Sequence, residues 1–292
     1  MSLRLPPTIW SHHRIEWGQQ TYVMGIVNVT PDSFSGDGLK HAVMTEEGLV
    51  HKAIEQAQHF VAEGATFIDV GGESTRPNGA KAVSEEEEIA RVIPVIKALR
   101  AILPREVIIS IDTYKASIAA KALDAGADLI NDIWGLRHDP AMARIASERN
   151  VPVILMANMR GYHQKHETIS DIVRFLAGSI DLALAAGIAW ERILIDPGIG
   201  FGMTLEEDLT VQRRLGELRV LGRPLLLGTS RKSHIGRILG GLPVSERLEG
   251  TAATIALGIT QGADIVRVHD VAKMMRVVRM SDAIVRERFV VS

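Results

Sequence analysis

The residues of this chain that could do chemistry come at or near the ends of short apolar runs. These polar residues are Asn28, Asp69, Glu73, Asp112, Asn131, Asp132, Asp196, Lys232, Arg267 and His269. Carboxylate and amide oxygens accept hydrogen bonds from N–H groups, so Asp112, Asn131 and Asp196 suit a flat heterocycle with several N–H donors and a carbonyl. Lys232 and Arg267 would give such a pocket cationic walls.

Basic residues are concentrated in the last two apolar runs. Lys232 lies in TSRKS beside Ser230, and Arg267 alternates with His269, so the latter two share one face of a strand. Arginine offers a planar fork of donors and lysine a point charge, and both bind phosphate. The pattern predicts an anion site here, although His269 taken alone is equally consistent with a structural histidine at a strand end.

Three loops carry further candidate residues. DPGIGFG (Asp196–Gly202) lacks the Lys and Ser/Thr of a phosphate-binding P-loop, so we expect its glycines to admit a ligand and Phe201 to lie against a ring. NVTPDSFSGDG (Asn28–Gly38) has the composition of a lid that excludes water. ESTRP puts Thr75 and Arg76 on another loop.

Other conspicuous residues favour structural roles. SEEEE (Ser84–Glu88) predicts a helix N-terminus with a capping serine and an acidic first turn rather than an acidic binding patch. His12 and His13 are expected to be solvated rather than to bind a metal.

The elements that must position the polar residues form a repeated unit. Eight apolar runs alternate with segments of helical periodicity, which predicts a parallel sheet, and eight strands close a barrel. The runs are Tyr22–Thr30, Thr66–Thr75, Val107–Thr113, Asp128–Ile133, Val151–Met159, Arg192–Gly198, Arg223–Lys232 and Asp264–Asp270. The prediction is a (β/α)8 TIM barrel over residues 21–292 after a short N-terminal extension over residues 1–20. In this fold the active site lies at the C-terminal ends of the strands, and the last two strands commonly bind phosphate.

Composition excludes several classes of function. The chain has 292 residues, a formal net charge of −2 and no cysteine. There is therefore no general basic field for nucleic acid, and disulfides, thiolate metal sites and cysteine nucleophiles are excluded. No apolar run approaches the ~20 residues of a transmembrane helix, and the N-terminus is unlike a signal peptide, so a cytoplasmic protein without a membrane partner is expected.

Seven segments together resemble the dihydropteroate synthase family of pterin-binding TIM-barrel enzymes. They are NVTPDSFS, DVGGESTRP, SIDT, NDI, DPGIGFG, SRKS and RVHDV, and they occur in the family order between Met24 and Val271. The resemblance implies condensation of 6-hydroxymethyl-7,8-dihydropterin diphosphate with p-aminobenzoate to 7,8-dihydropteroate, with release of diphosphate in folate biosynthesis. It also implies Mg²⁺ as cofactor, sensitivity to sulfonamides, which mimic p-aminobenzoate, and a homodimer whose other partners are its small-molecule substrates.

The resemblance assigns roles by matching position. The pterin would be bound by Asp112, Asn131, Met156, Asp196, Phe201, Gly228, Lys232 and Arg267. The p-aminobenzoate and the diphosphate would be bound by Thr75, Arg76, Ser230, Arg267 and His269. Asn28 would contact Mg²⁺. The residues that would support catalysis are Asp112, Lys232, Arg267 and His269, with no general base among them.

The chain departs from the family pattern in two places. Leu155 and Met156 are followed by Ala157 and Asn158 where many members have a histidine, and the first loop reads SGDG where many read SDGG. Two alternatives are a methyltetrahydrofolate-dependent methyltransferase, whose pterin pocket is similar, and a pterin-binding relative without catalysis. Release of diphosphate from the two substrates would distinguish the three.

Overall fold

The chain begins with a hairpin and continues as eight parallel strands, one within each predicted apolar run. The computed structural model describes residues 5–30, 46–73, 83–162 and 167–288. The hairpin strands are β1 (Thr8–Trp10) and β2 (His13–Ile15). The parallel strands are β3 (Tyr22–Asn28), β4 (Phe67–Gly71), β5 (Ile108–Asp112), β6 (Leu129–Asp132), β7 (Val153–Met156), β8 (Ile193–Asp196), β9 (Leu226–Leu227) and β10 (Ile265–Val268).

The parallel strands form a nearly closed barrel. Their order in the sheet is β8-β7-β6-β5-β4-β3-β10-β9, and a parallel bridge between Ile195 and Leu225 joins the two edges. The predicted (β/α)8 fold is therefore confirmed. The division into an extension over residues 1–20 and a barrel over residues 21–292 stays a prediction.

Helices alternate with the strands. They are α1 (Glu46–Ala62), α2 (Glu85–Ile102), α3 (Ala116–Asp124), α4 (Ala141–Glu148), α5 (Thr168–Ala185), α6 (Leu205–Arg213), α7 (Ser233–Ile238), α8 (Leu248–Thr260) and α9 (Val271–Val285). As predicted, Ser84 caps α2: its hydroxyl oxygen accepts a hydrogen bond of 3.2 Å from the Glu87 backbone N–H. In the part of the chain that the structure describes, no helix is long and apolar enough to cross a membrane.

The barrel interior changes from apolar to polar along the strand direction. One interior cluster contains Met24, Phe67, Ile108, Leu129, Ile154, Leu194, Leu226 and Ile265. Successive residues of a strand point to opposite faces, so the residues two positions further on also face inward. These are Ile26, Asp69, Ser110, Asn131, Met156, Asp196, Gly228 and Arg267. Strand alternation therefore brings the polar side chains together in one layer above an apolar floor.

The hairpin covers the other end of the barrel. Trp10, Ile15 and Trp17 pack in the same cluster as the apolar interior residues. The indole N–H of Trp17 donates to the Thr8 hydroxyl oxygen at 2.9 Å, and that of Trp10 donates to the Asp128 carbonyl at 2.9 Å. These contacts make the hairpin a plug for the N-terminal end of the barrel.

The expectation that both histidines of the hairpin are solvated was wrong for one of them. His12 is exposed, whereas His13 is buried, with its Nε2 3.1 Å from Asp128 Oδ1. The reason is that adjacent residues of a strand point to opposite sides, and the side occupied by His13 also carries Trp10, with ring centroids 4.9 Å apart.

Candidate active site

A cavity of about 340 Å³ opens at the C-terminal ends of the strands. Its size is that of a small-molecule site, and its position is the active end of this fold. All predicted site residues in the described part of the chain line it: Asn28, Asp112, Asn131, Met156, Asp196, Phe201, Gly228, Ser230, Lys232, Arg267 and His269. Thr75 and Arg76, also predicted, lie outside the described residues.

Strand register places four of the residues at this end side by side. Asn28 is opposite Gly71, Gly71 is opposite Asp112, and Asp112 is opposite Asn131. A Cβ on this glycine would make only ordinary contacts, 3.6 Å from both Asn28 Oδ1 and Asp112 Oδ2, so both of these side chains lie next to Gly71. An acidic group and two amides thus converge on the cavity from three nearby strands.

Arg267 joins two carboxylates beneath the cavity. Its Nε donates to Asp69 Oδ2 and its Nη2 donates to Asp112 Oδ2, each at 2.6 Å. Asp69 is fully buried and also accepts from the Asn131 amide at 3.2 Å. Burial alone would lower the pKa of Arg267, but the charges of Asp69 and Asp112 raise it above its ordinary value. The guanidinium is therefore a permanent cation with a fixed orientation.

Burial disfavours the ionised forms of the acidic groups at the cavity. Burial raises the pKa of Asp112 to about 7, although the charge of Arg267 opposes the shift. Burial likewise raises the pKa of Asp196, against the charge of Lys232 and a 2.7 Å hydrogen bond from the Gly198 backbone N–H. A ligand that donates N–H groups to these oxygens would favour their ionised forms.

Lys232 supplies the opposite charge on the far wall. Its ammonium donates to the Ile199 carbonyl and lies 4.4 Å from the centre of the Phe201 ring. Burial lowers the pKa of Lys232 to about 8, while Asp196 raises it. At neutral pH the group is mostly protonated and can donate to a ligand carbonyl.

The loop after β8 depends on glycine. Gly198 has a φ of +72°, and a Cβ there would lie 1.9 Å from the Ala157 carbonyl oxygen. Gly200 has a φ of +83°, and its Cβ would press on the Lys232 side chain at 3.1 Å. We expected these glycines to admit a ligand, but Gly198 makes room for the Ala157 carbonyl that follows β7. Phe201 lines the cavity, and its contact with a ligand ring stays a prediction.

The ends of β9 and β10 form a polar side of the cavity. The Ser230 hydroxyl oxygen accepts from the His269 backbone N–H at 3.2 Å and lies 3.0 Å from that residue's Nδ1. Arg231 makes two bonds to Asp270, at 2.9 and 2.7 Å, and Arg247 donates to the Arg231 carbonyl at 3.0 Å. The predicted phosphate-binding side thus carries Arg231 and Arg247, of which Arg231 is paired with a carboxylate.

The site contains residues that the sequence reasoning did not assign. Asp69 and Glu73 were noted as polar but received no role, and Arg247 was not noted at all. Asp69 could have been found, because it follows the inward-facing Phe67 by two positions. Arg247 precedes α8 and reaches the cavity only through tertiary packing, so no local pattern indicates it.

The departure from the family pattern after β7 lies outside the cavity lining. Ala157 and Asn158 are both buried. The Asn158 amide donates to the Ile133 carbonyl at 3.1 Å, and its side-chain oxygen accepts from the Arg160 backbone N–H at 3.2 Å. Asn158 therefore stabilises the loop. Asp132 has a similar role, since its two oxygens accept from the Trp134 and Leu136 backbone N–H groups.

The oxygen atoms at the cavity fit Mg²⁺ only if a bound ligand supplies further oxygen atoms. No group of three or more His, Cys, Asp or Glu residues within the described ranges could hold a metal. Mg²⁺ is commonly bound by one or two protein oxygens together with substrate phosphates and water. The Asn28 side-chain oxygen at the cavity wall, close to the basic side, meets that limited requirement.

Comparison with known proteins agrees with this geometry. The family model of pterin binding enzymes matches residues 24–269. Dihydropteroate synthase of Bacillus subtilis is 49% identical over 273 residues, 94% of this chain and 92% of the relative. Dihydropteroate synthase of Clostridium difficile, solved in the presence of pteroic acid, has a TM-score of 0.85 and 47% identity, covering 92% of this chain and 98% of its own. The Xanthomonas albilineans enzyme with 4-aminobenzoic acid has a TM-score of 0.87 and 38% identity, covering 96% of this chain and 98% of its own.

Proposed function

The chain belongs to the pterin-binding enzyme family, and from this we infer that it catalyses the dihydropteroate synthase reaction. It is a transferase that joins p-aminobenzoate to 6-hydroxymethyl-7,8-dihydropterin diphosphate and releases diphosphate, in folate biosynthesis. The observation that carries this conclusion is the convergence of hydrogen-bond acceptors, Lys232 and Arg267 in a single cavity at the active end of the barrel.

We propose that the inner part of the cavity binds the pterin. Asp112 and Asp196 would accept from pterin N–H groups, Asn131 can donate and accept, and Lys232 would donate to the ring carbonyl. Met156, Phe201 and Gly228 would form the slot for the flat ring, with Arg267 stacked on its face. The raised pKa values of the two carboxyl groups support this, because N–H donors of a ligand would stabilise the ionised forms that burial disfavours.

The reaction needs a stabilised leaving group and a well-placed nucleophile. The bond between the pterin methylene carbon and the diphosphate oxygen breaks, and its electron pair leaves with the diphosphate. The amine nitrogen of p-aminobenzoate forms the new bond to that carbon and loses a proton. Arg267 and His269 would stabilise the charge that grows on the diphosphate. The arylamine is already a nucleophile, so positioning matters more than deprotonation and we assign no general base.

We propose that Mg²⁺ is the cofactor and that Asn28 is its protein ligand. The bound ion would neutralise part of the diphosphate charge. Support comes from the position of Asn28 at the cavity wall and from the small number of protein oxygens that Mg²⁺ requires when phosphate is present.

We propose that p-aminobenzoate lies toward the cavity mouth, where Ser230 is available. Thr75 and Arg76, outside the described residues, complete the proposed binding set for p-aminobenzoate and diphosphate. The proposed role of Ser230 is supported by its position in the cavity lining and by the hydrogen bond between its hydroxyl group and His269.

The function is tested by mixing both substrates with Mg²⁺ and measuring diphosphate and dihydropteroate together. Equal amounts of the two products are expected. Pterin binding without diphosphate release would indicate a non-catalytic relative. Methyl transfer from methyltetrahydrofolate would indicate the methyltransferase alternative.

We also propose a homodimer. The packed helices α8 and α9 carry the exposed apolar residues Leu257, Met280 and Ile284, with 57, 62 and 68% of their surfaces accessible. Exposed apolar patches of this kind mark protein interfaces. Sedimentation should give a dimer, and Ile284→Glu should give monomers. The cytoplasmic location indicated by the sequence stays a prediction.

A further inference from the structure

A charged cluster beside the cavity mouth joins three barrel elements. Lys115 is the N-cap residue of α3, Glu88 is in the first turn of α2, and Glu73 follows β4. The Lys115 ammonium donates to Glu73 Oε2 at 2.8 Å and to Glu88 Oε2 at 2.7 Å. The Tyr114 hydroxyl group lies 3.0 and 3.2 Å from the two oxygens of Glu73. Among these residues Glu73 lines the cavity.

Lys115 also holds the main chain. Its third hydrogen bond, of 2.8 Å, goes to the Val83 carbonyl, so all three donors of the ammonium are used. Glu73 follows β4 and Val83 precedes α2. A single ammonium therefore joins the end of β4 to the start of α2.

The electrostatics of the cluster depend on this one cation. Glu88 has 1% of its surface accessible, and burial raises its pKa while Lys115 lowers it. Burial alone would lower the pKa of Lys115, but Glu73 and Glu88 raise it above its ordinary value. Without Lys115, two carboxylates would share a partly buried site with no cation between them, and the Tyr114 hydroxyl group alone would hold Glu73 against their repulsion.

The hydrogen bonds of the cluster are distinct from those that fix the inner part of the cavity, although the charge of Glu88 contributes to the raised pKa of Asp112. Asp112 and Asn131 are held by Arg267 and Asp69, whereas Lys115 bonds to Glu73, Val83 and Glu88. Glu73 lies two positions beyond Gly71, which is in register with Asp112, so it stands above the layer proposed to bind the pterin. The second substrate must approach from this open side once the pterin fills the interior.

We propose that Lys115 is a positioning residue for the p-aminobenzoate side of the site, acting through Glu73. This rests on the proposed function. The residue touches no substrate; it fixes the position of Glu73, which lines the cavity.

The test compares Lys115→Met with Lys121→Met, an exposed lysine of the same helix. For Lys115→Met the KM for p-aminobenzoate should rise by about 10- to 100-fold, the range expected when a binding group is misplaced by roughly 1 Å. The Kd for the pterin diphosphate, measured by calorimetry, should change by less than about twofold, and Lys121→Met should match the wild type in both.

A second variant separates positioning from folding. Lys115→Met leaves the buried Glu88 charge without its cation, so Lys115→Met/Glu88→Gln should recover stability while the raised KM for p-aminobenzoate persists. A wild-type KM in either folded variant would overturn the proposal, as would equal rises in the p-aminobenzoate KM and the pterin Kd. If the wild-type chain forms no dihydropteroate, the proposed function fails instead.

Discussion

Arg267 shares its guanidinium between Asp69 and Asp112, whereas Arg231 binds a single carboxylate, that of Asp270. The side chain of Asp69 has no accessible surface, while those of Arg231 and Asp270 are 33 and 17% accessible. Burial makes the loss of one partner of an ion pair costly, because the remaining charge cannot be solvated. The two pairs therefore allow a matched comparison at the level of single residues.

Asp69→Ala should destabilise the protein by about 3 kcal/mol, because Arg267 and the Asn131 amide both lose a buried acceptor. Asp270→Ala should cost about 1 kcal/mol or less, because water can reach Arg231. Urea unfolding measures both free energies. Equal decreases in the free energy of unfolding of the two variants would contradict the view that Asp69 stabilises Arg267 and Asn131 at the cavity.

The pKa values of Asp112 and Lys232 predict a narrow pH optimum. Asp112, with a pKa raised to about 7, accepts from the pterin only when ionised, so binding weakens as pH falls through 7. Lys232, with a pKa lowered to about 8, donates only when protonated, so binding weakens as pH rises through 8. The kcat/KM for the pterin substrate should therefore be bell-shaped, since it reports ionisations of the free enzyme.

Lys232→Arg provides the control for this profile, because arginine stays protonated well above pH 8. Its alkaline limb should move to higher pH while its acid limb stays in place, even if its maximum activity falls. An alkaline limb that is unchanged in Lys232→Arg would assign that ionisation to another group.

At the scale of elements, substitutions of glycine test whether the loop after β8 requires glycine for close packing as well as for its backbone conformation. Gly198→Ala should destabilise the protein by about 3 kcal/mol, since it combines a left-handed backbone with a clash against the Ala157 carbonyl. Gly18 has a similar φ, +79° against +72°, but nothing lies within 4 Å of its Cβ position, so Gly18→Ala should cost only about 1 kcal/mol. Thermal unfolding and pterin calorimetry measure the outcome, and only Gly198→Ala should lose pterin affinity. Equal effects would mean that backbone strain alone, not close packing, sets the requirement.

The strands were predictable because each is a short apolar run followed by polar residues or glycine, a pattern that needs no tertiary information. The hairpin was not, because its strands have three residues each and its turn, at Ser11–His12, lacks the usual Asn-Gly or Asp-Gly signal. Family motifs predicted the cavity residues, such as Asp196 and Lys232. Contacts made across the fold, such as the bond from Lys115 to Val83, have no local pattern.

At the scale of the whole molecule, the apolar residues that stabilise the barrel and the polar residues at the cavity lie at opposite ends. The hairpin and the apolar interior residues fill the N-terminal end, and the polar layer faces the cavity at the other end. The cavity is one continuous space of about 340 Å³ that must hold both substrates. By our proposal, Asp112, Asn131 and Asp196 at the strand ends bind the pterin directly. The smaller p-aminobenzoate has fewer proposed partners.

This asymmetry predicts an order of binding. p-Aminobenzoate has one carboxylate and one aromatic ring, and the partners that we propose for it in an empty cavity are Ser230 and, outside the described residues, Thr75 and Arg76. Bound pterin or Mg-diphosphate would supply a wall and organise the basic side around Arg267 and His269. The affinity for p-aminobenzoate, or for a sulfonamide that mimics it, should therefore be at least about tenfold higher when Mg-diphosphate is present, and by linkage Mg-diphosphate should gain the same factor. Calorimetric titration of a sulfonamide with and without Mg-diphosphate measures this coupling, with diphosphate plus EDTA as the control for the metal. Equal sulfonamide affinity in all three conditions would show that the two halves of the cavity bind independently.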